Sequence, residues 1–439
     1  MRTPTGAGRA TRLLHWTLVC AGLATGTGCA TLRATLAGYA TGADGLSRPQ
    51  QRLRDAFADA DFPKALAWRD DDALLRTLTS GVAAYYAKQF ARSALVLDTA
   101  ALLADDRITA SLSRNGLSLA TNDLARPYQP RRTERLFIPY YAMLSYAQLG
   151  AWEDAAVEAR RLEGLLAQYG EDRDDGERAV HGVLRHLAGA VFERAGERNE
   201  ARVAYRGAHA LASTLPDAMA AGASAGEGEL LLVVERGFVA HRATETIELF
   251  VGGDDRDSLR LHGDRHRHAV ARLADRDDDD RDYHLTVAFP SLRRSPRPWG
   301  GEVRLSVDGQ EVSGVHAPAL VDDASAADAD RERLGIAMRA VARAVAKYAV
   351  TRTVEDRKGK VAGTIVNFGA SLLERADVRS WHLLPQEITI VRVRVPAGTR
   401  ALRVLSGAGW DVRSVDIGPV VVRAGELTIV PVRMWRDRG

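Results

Sequence analysis

With 439 residues, 46% of them hydrophobic and 27% charged, the chain has material for about two or three globular domains with real cores. Its formal charge of +3 is accounted for by Arg2, Arg9 and Arg12, all ahead of Cys29, and a neutral remainder leaves no electrostatic case for nucleic acid. The only cysteines, Cys20 and Cys29, share that N-terminal stretch, so disulfides and thiolate metal sites are excluded from the rest of the chain.

Arg9 and Arg12 form a positive n-region and Leu13 to Leu23 a short, semi-polar h-region weakened by His15 and Trp16, the pattern of an export signal over residues 1–28. The segment Leu23-Ala24-Thr25-Gly26-Thr27-Gly28-Cys29 resembles a bacterial lipobox, with Gly28 supplying the small side chain before the cleaved bond. The resemblance implies a diacylglycerol on the Cys29 sulfur and an acyl chain such as palmitate on its new amino terminus. At about 0.8 kcal/mol per buried CH2, such an anchor is effectively permanent. Gly26 departs from the usual leucine, and the competing reading is a plain secretory signal with an incidental cysteine. Ala30 stands where an aspartate would retain the protein at the inner membrane, which by the same resemblance favours the periplasmic face of the outer membrane. Residues 29–50 read as a linker.

Residues 51–218 carry a helical period with alanine-rich apolar faces. Met143, Tyr146, Gly150, Trp152, Ala155, Ala159 and Leu162 fall at the offsets of a tetratricopeptide helix–turn–helix unit. Gly189, Phe192, Gly196, Ala201, Tyr205 and Ala208 repeat them, and Gly81, Ala84, Phe90, Ser93, Leu97 and Ala100 do so more weakly. Small residues let the two helices of a hairpin approach, and large ones fill the groove between hairpins. Gly150 and Gly196 suit the left-handed position that ends a helix. The units lie farther apart than the ~34 residues of a regular array, so two further helices or an ordered insert are expected between the first two.

That insert is polar and aromatic. Asn122 and Asp123 suit a turn or an N-cap, Pro127 and Pro130 keep the chain extended, and Tyr128, Glu134, Tyr140 and Tyr141 follow. In one reading, Asn122, Asp123, Tyr128, Glu134 and Tyr141 hold a peptide or glycan across the helical groove. In the other they pin a long connection to its own scaffold. The second is favoured, because buried loop polar groups need partners in any case.

Ala220 to Gly228 is an Ala/Gly/Ser linker, and residues 229–434 read as β-rich. Glu229 to Glu235 is a dense apolar run of a buried strand. Thr246 to Val251, His284 to Phe289, Val303 to Val307 and Glu311 to Val315 follow, the last two joined by an Asp308-Gly309 turn. Glu387 to Val395, Ala401 to Leu405, Val420 to Arg423 and Leu427 to Val432 complete a small antiparallel, sandwich-like arrangement. One long helix interrupts it over 326–351, with Arg339, Arg343 and Lys347 in a single stripe. Such a helix either lies on anionic membrane or packs its apolar face on a sheet, and the second is the commoner arrangement.

Three blocks, SLATNDLARPY with its tyrosine-rich sequel, GELLLVVERG and ERADVRSWHLLPQEITIVRVRVPAGT, together resemble a family of uncharacterised tetratricopeptide-containing lipoproteins of Gram-negative bacteria. Arg375, Ala376, Asp377, Arg379, Ser380, Trp381, Leu384 and Pro385 carry the last block, and the resemblance spans roughly Gln51 to Met434. It implies an envelope location without known catalysis, and a link to cell-wall synthesis. In that block Asp377 and Arg379 suit a paired turn, while Trp381 either anchors a partner or plugs the joint between helix and sheet. The plug is favoured, since tryptophan is usually buried.

Other motifs carry little. Gly222-Ala223-Ser224-Ala225-Gly226 matches a nucleophile elbow only in letters, since it sits in a low-complexity linker. His262, His266 and His268 lie close to Asp254, Asp255 and Asp257, but flanking arginines oppose a cation. The expectation is therefore an α+β multidomain protein: a tetratricopeptide-like α-hairpin domain, then a β-rich, sandwich-like domain with one long helix. It would be a membrane-anchored scaffold for other envelope proteins, with no cofactor, no metal and no nucleic acid. The alternative is an envelope hydrolase or glycan-active enzyme with a site at the domain junction.

Overall fold

A computed structural model describes residues 45–113, 127–170, 174–216, 226–251, 258–263, 270–272, 283–295, 301–333, 335, 336, 339, 376–407 and 412–435. The export segment with Cys29 lies outside them, as do Asn122, Asp123, the Gly222–Ala225 motif, His266 and His268. The chain divides into two units, Met1–Asp55 and Ala56–Gly439. Helix α1 (Arg48–Ala58) starts in the first and opens on a reciprocal cap. The Gln50 side chain accepts the Ser47 N–H at 3.0 Å, and the Ser47 hydroxyl accepts the Gln50 N–H at 3.4 Å.

The second unit continues with α2 (Phe62–Leu66), α3 (Ala73–Tyr86), α4 (Phe90–Ser113), α5 (Arg132–Leu149), α6 (Trp152–Gln168), α7 (Asp175–Arg194) and α8 (Arg198–Leu211). Each helix from α3 onward packs on the next; α5 also touches α3 on one side and α7 on the other, so these three form an inner row, with α4, α6 and α8 outside. The hairpin turns share one device. Lys88, Gly150 and Gly196 adopt left-handed φ values of 59°, 73° and 81°. The N–H after each reaches back to Ala84, Tyr146 or Phe192 at 2.8, 3.0 and 2.8 Å, which closes the helix end. The small residues act as their spacing requires. A Cβ on Gly81 would lie 2.7 Å from Leu97 and one on Gly189 2.9 Å from Tyr205, so both hairpins depend on glycine to close. Between Lys88 and Gly150 the chain holds the 24 residues of α4; residues 114–126 are not described.

Among the described residues, twelve strands form three sheets. They are β1 (Glu227–Arg236), β2 (His241–Val251), β3 (Ser258–Gly263), β4 (Val270–Arg272), β5 (Tyr283–Arg293), β6 (Val303–Val307), β7 (Gln310–Val312), β8 (Val315–Leu320), β9 (Glu387–Pro396), β10 (Gly398–Ser406), β11 (Arg413–Val422) and β12 (Leu427–Met434). The first sheet runs β12-β1-β9-β8, the second β11-β10-β6-β7 and the third β4-β3-β2-β5. Alternate residues of β1 (Leu230, Leu232, Val234) and β9 (Val391, Val393, Val395) meet Val303, Leu305, Leu402 and Val404 of the second sheet in one apolar cluster. The opposite face of β1 and β9 carries Leu231, Val233, Ile388 and Ile390, all buried, with Glu235 and Arg392 bonded to the inner helices and Glu229 paired with Arg392. Burial on both faces explains why β1 reads as an unbroken apolar run instead of alternating.

Two expectations change. The first sheet is mixed, not antiparallel, because β12 returns parallel to β1, pairing Glu235 with Arg433. The long helix begins at residue 321, directly after β8, instead of 326; residues 321–333 are helical and are called α9, while residues 340–351, with Arg343 and Lys347, are not described. Pro318 sits in β8, the edge strand of the first sheet, where its missing N–H does least harm and discourages further pairing.

Candidate functional site

The residues singled out from the sequence are brought together, but they face inward. Tyr128, Glu134, Tyr141 and Trp381 are 2%, 7%, 0% and 1% exposed. One Glu134 oxygen accepts the Tyr128 hydroxyl at 2.6 Å and the Arg131 N–H at 2.8 Å; the other accepts the Trp381 N–H at 2.7 Å. The Tyr128 N–H donates to Asp72, which also caps α3 and pairs with Arg107 at 2.8 Å. The Asp377 carboxylate binds the Arg379 N–H at 3.1 Å and its guanidinium at 2.7–2.8 Å, and so holds the turn before Trp381. Tyr128, Glu134, Tyr141 and Trp381 are thus buried and bonded within the fold. The Tyr128 hydroxyl, the Glu134 carboxylate and the Trp381 backbone N–H are spent on joining the insert, α5 and the chain before β9, and freeing them would strand buried polar groups.

Three clusters that sequence reasoning missed complete that seam. Buried Glu235 accepts hydroxyls from Tyr86 at 2.8 Å, Tyr140 at 3.1 Å and Tyr141 at 3.0 Å, and its burial pushes the carboxyl pKa up. Arg433, opposite it in the parallel pair, stacks over Trp435 at 4.3 Å. On β9, Arg392 grips Glu229 through two bonds of 2.8–2.9 Å, reaches Glu193 of α7 at 3.2 Å and lies over the Tyr205 ring at 5.1 Å. Beside it, burial together with the Arg392 charge holds the His186 imidazole down at about 3. The third cluster is on α9. Asp328 accepts the Thr133 N–H at the start of α5 at 2.8 Å, Glu332 pairs with Arg131 and Arg242, and Arg331 pairs with Glu177 of α7. The only sequence signal for any of these was charge in otherwise apolar strands, at Glu235 and Arg392.

The open site lies where the apolar cluster between the two sheets ends. On the same faces, Val234 is succeeded by Arg236 and Val391 by Thr389 and Glu387, and there the sheets border a cleft of about 750 Å³. Its floor is an ion pair of Arg236 with Glu387, steadied by the Thr389 hydroxyl at 2.9 Å from Glu387. Pro318 and Leu320 supply an apolar wall, and Asp175 of α7 and Glu302 stand exposed at the rim. Neither rim carboxylate has a bonding partner among the described residues. His316 also lines the cleft, its Nδ1 buried and unpaired. The volume matches that of ordinary ligand pockets, roughly 300–1,000 Å³. Comparison of the chain with protein-family models, with curated proteins and with solved structures found no match.

Proposed function

We propose that the protein is an envelope lipoprotein, anchored through Cys29 at the periplasmic face of the outer membrane, that binds other envelope proteins instead of catalysing a reaction. In this reading the hairpins α3–α8 are tetratricopeptide-like, the first two sheets form a sandwich, and the family resemblance of the three sequence blocks holds. The observation that carries the binding role is the division of surfaces. The inner helical row, where such arrays take their ligands, is filled in cis by the first sheet through Glu235 and Arg392, while the cleft at Glu302, Asp175 and Pro318 stays open. A partner therefore docks at the cleft, with the helices as its rigid support.

Two measurements test this. Cys29→Ala should release the protein from the membrane fraction, and retention would refute the anchor. A photoreactive amino acid at Glu302 should give a discrete adduct with one envelope protein in intact cells, whereas the same probe at exposed Leu95 of α4 should not. Absence of an adduct specific to Glu302 would refute the docking site. The specific observation on the side of a glycan-active enzyme is the gathering of Asp175, Glu302 and His316 around the same cleft. Glycan turnover by the purified protein that disappears in Glu302→Gln would establish that reading in place of the first.

A further inference from the structure

The outermost helix of the array carries a second surface. Helix α8 packs on α7 through Ala201, Ala204, Tyr205 and Ala208, and no other helix covers it among the described residues. Along its free side run Arg198, Arg202 and Arg206, at i, i+4 and i+8. All three are exposed, and none has a side-chain partner among the described residues. Val203 stands beside them, 63% exposed. Other arginines of this region are differently placed: Arg160 is engaged by Glu197, Arg185 by Glu163 and Arg392 by Glu229. Glu200 is the sole acid of α8. A helix that merely solvates the end of an array needs charges of both signs; here one sign is concentrated and left unpaired.

We infer that this face of α8 docks on an anionic phospholipid surface, with the three guanidinium groups on the phosphates and Val203 at the headgroup boundary. Charge complementarity selects the occupant, and the chain length before the folded body makes it reachable. The residues between Cys29 and Gly45 extend to roughly 50 Å at most, so an anchored body never leaves the neighbourhood of a bilayer. The inference rests on the anchored reading for its setting. Each arginine near an anionic surface is worth roughly a fivefold gain in partitioning, and three give roughly a hundredfold. That is modest for a free protein, but an anchor converts it into an orientation by raising the local concentration.

The test removes the anchor. The mature chain from position 29, carrying Cys29→Ser, is sedimented with vesicles of phosphatidylglycerol and phosphatidylcholine in a one-to-three ratio, and with pure phosphatidylcholine. Binding is expected to the first only, to fall steeply with added salt, and to weaken roughly a hundredfold in R198Q/R202Q/R206Q. Circular dichroism and thermal melting verify that the triple variant folds. Equal binding to both vesicles, no binding to the anionic ones, or a triple variant that binds like the parent would each overturn the inference. Inorganic phosphate at matched ionic strength should not compete; competition would mark a site for the free anion and equally overturn it. Because no acyl chain is present, this outcome is independent of the Cys29→Ala fractionation that tests the anchor.

Discussion

The Glu134 carboxylate accepts the Trp381 backbone N–H at 2.7 Å across 247 residues of sequence, and with that bond the first turn of α5 is tied to the chain entering β9. The same carboxylate is the N3 member of the α5 cap, so one residue serves the helix start and the joint together. Glu134→Ala leaves three buried donors, of Tyr128, Arg131 and Trp381, without an acceptor. The expected cost is about 3 kcal/mol, read from urea unfolding. Glu134→Gln should cost less, since one oxygen remains. Trp381→Phe keeps the N–H and should lose packing only, so a fully additive Glu134→Ala/Trp381→Phe double variant would support assigning the bond to the backbone.

The tyrosines around Glu235 make a separable prediction. Tyr86 and Tyr141 donate to different oxygens of Glu235 and also contact each other at 2.8 Å. Either hydroxyl removed alone should cost about 1 kcal/mol, because its neighbour can re-aim, but the double Phe variant should cost more than the sum. Glu235→Leu strands three hydroxyls and removes the carboxylate nearest Arg433, for an expected loss of about 4 kcal/mol. If the double Phe variant proved simply additive in a thermodynamic cycle, the three hydroxyls would not be acting as a network.

What the sequence made legible were features whose physics is local. The apolar run of β1, the Asp308-Gly309 turn between β6 and β7, and the glycines at positions 150 and 196 each state their conformation within a few residues. Strand β8 was hidden because Pro318 argues against a strand unless the strand is known to lie at an edge. The parallel return of β12 beside β1 was hidden as well, since both strands carry the same apolar pattern in either direction. The inward turn of Tyr128 and Glu134 depends on Trp381, and that of Tyr140 and Tyr141 on Glu235, partners that no spacing rule connects. The cleft was the least legible part. It exists only because Arg236, Thr389 and Glu387 stand at positions where the alternation calls for apolar side chains, and an alternation that fails by one residue looks like a strand end.

The first hairpin turn shows a conformation the residue does not favour. Lys88 holds φ at 59°, in the place that Gly150 and Gly196 occupy in the later turns. It is exposed, and a left-handed L-residue other than glycine or asparagine costs roughly 1 kcal/mol. Lys88→Gly should therefore raise stability by about 0.5–1 kcal/mol, despite the entropy gained by the unfolded chain. Gly150→Ala and Gly196→Ala should each lower it by a similar amount. Neither position has atoms within 4 Å of an added Cβ, so the loss would report backbone strain and not a clash. Opposite signs at position 88 and positions 150 and 196, read from thermal melting, are the result that establishes a shared turn.

His186 makes the fold sensitive to acid at one buried point. The imidazole is fully buried between α7 and β9, with its Nε2 facing the Arg392 guanidinium at 3.5 Å. Burial first, and the arginine second, lower its pKa from 6.5 to about 3. The unfolded chain thus takes up a proton near pH 6.5 that the folded chain refuses until about pH 3. Over that window the unfolded state binds more protons, so stability falls as the pH falls. At 1.36 kcal/mol per pH unit, the contribution between pH 7 and pH 5 is a loss of about 2 kcal/mol. Two buried carboxyls oppose it by comparable amounts: burial raises Asp328 to about 6 and Glu158 to about 7, so both bind protons in the folded state before they do in the unfolded chain. His186→Gln should remove about 2 kcal/mol of the difference between urea unfolding at pH 7 and pH 5, and Asp328→Asn should steepen it. An unchanged pH slope in His186→Gln would mean that the imidazole is hydrated in solution and that the packing of α7 on β9 around Arg392 is looser than these contacts require.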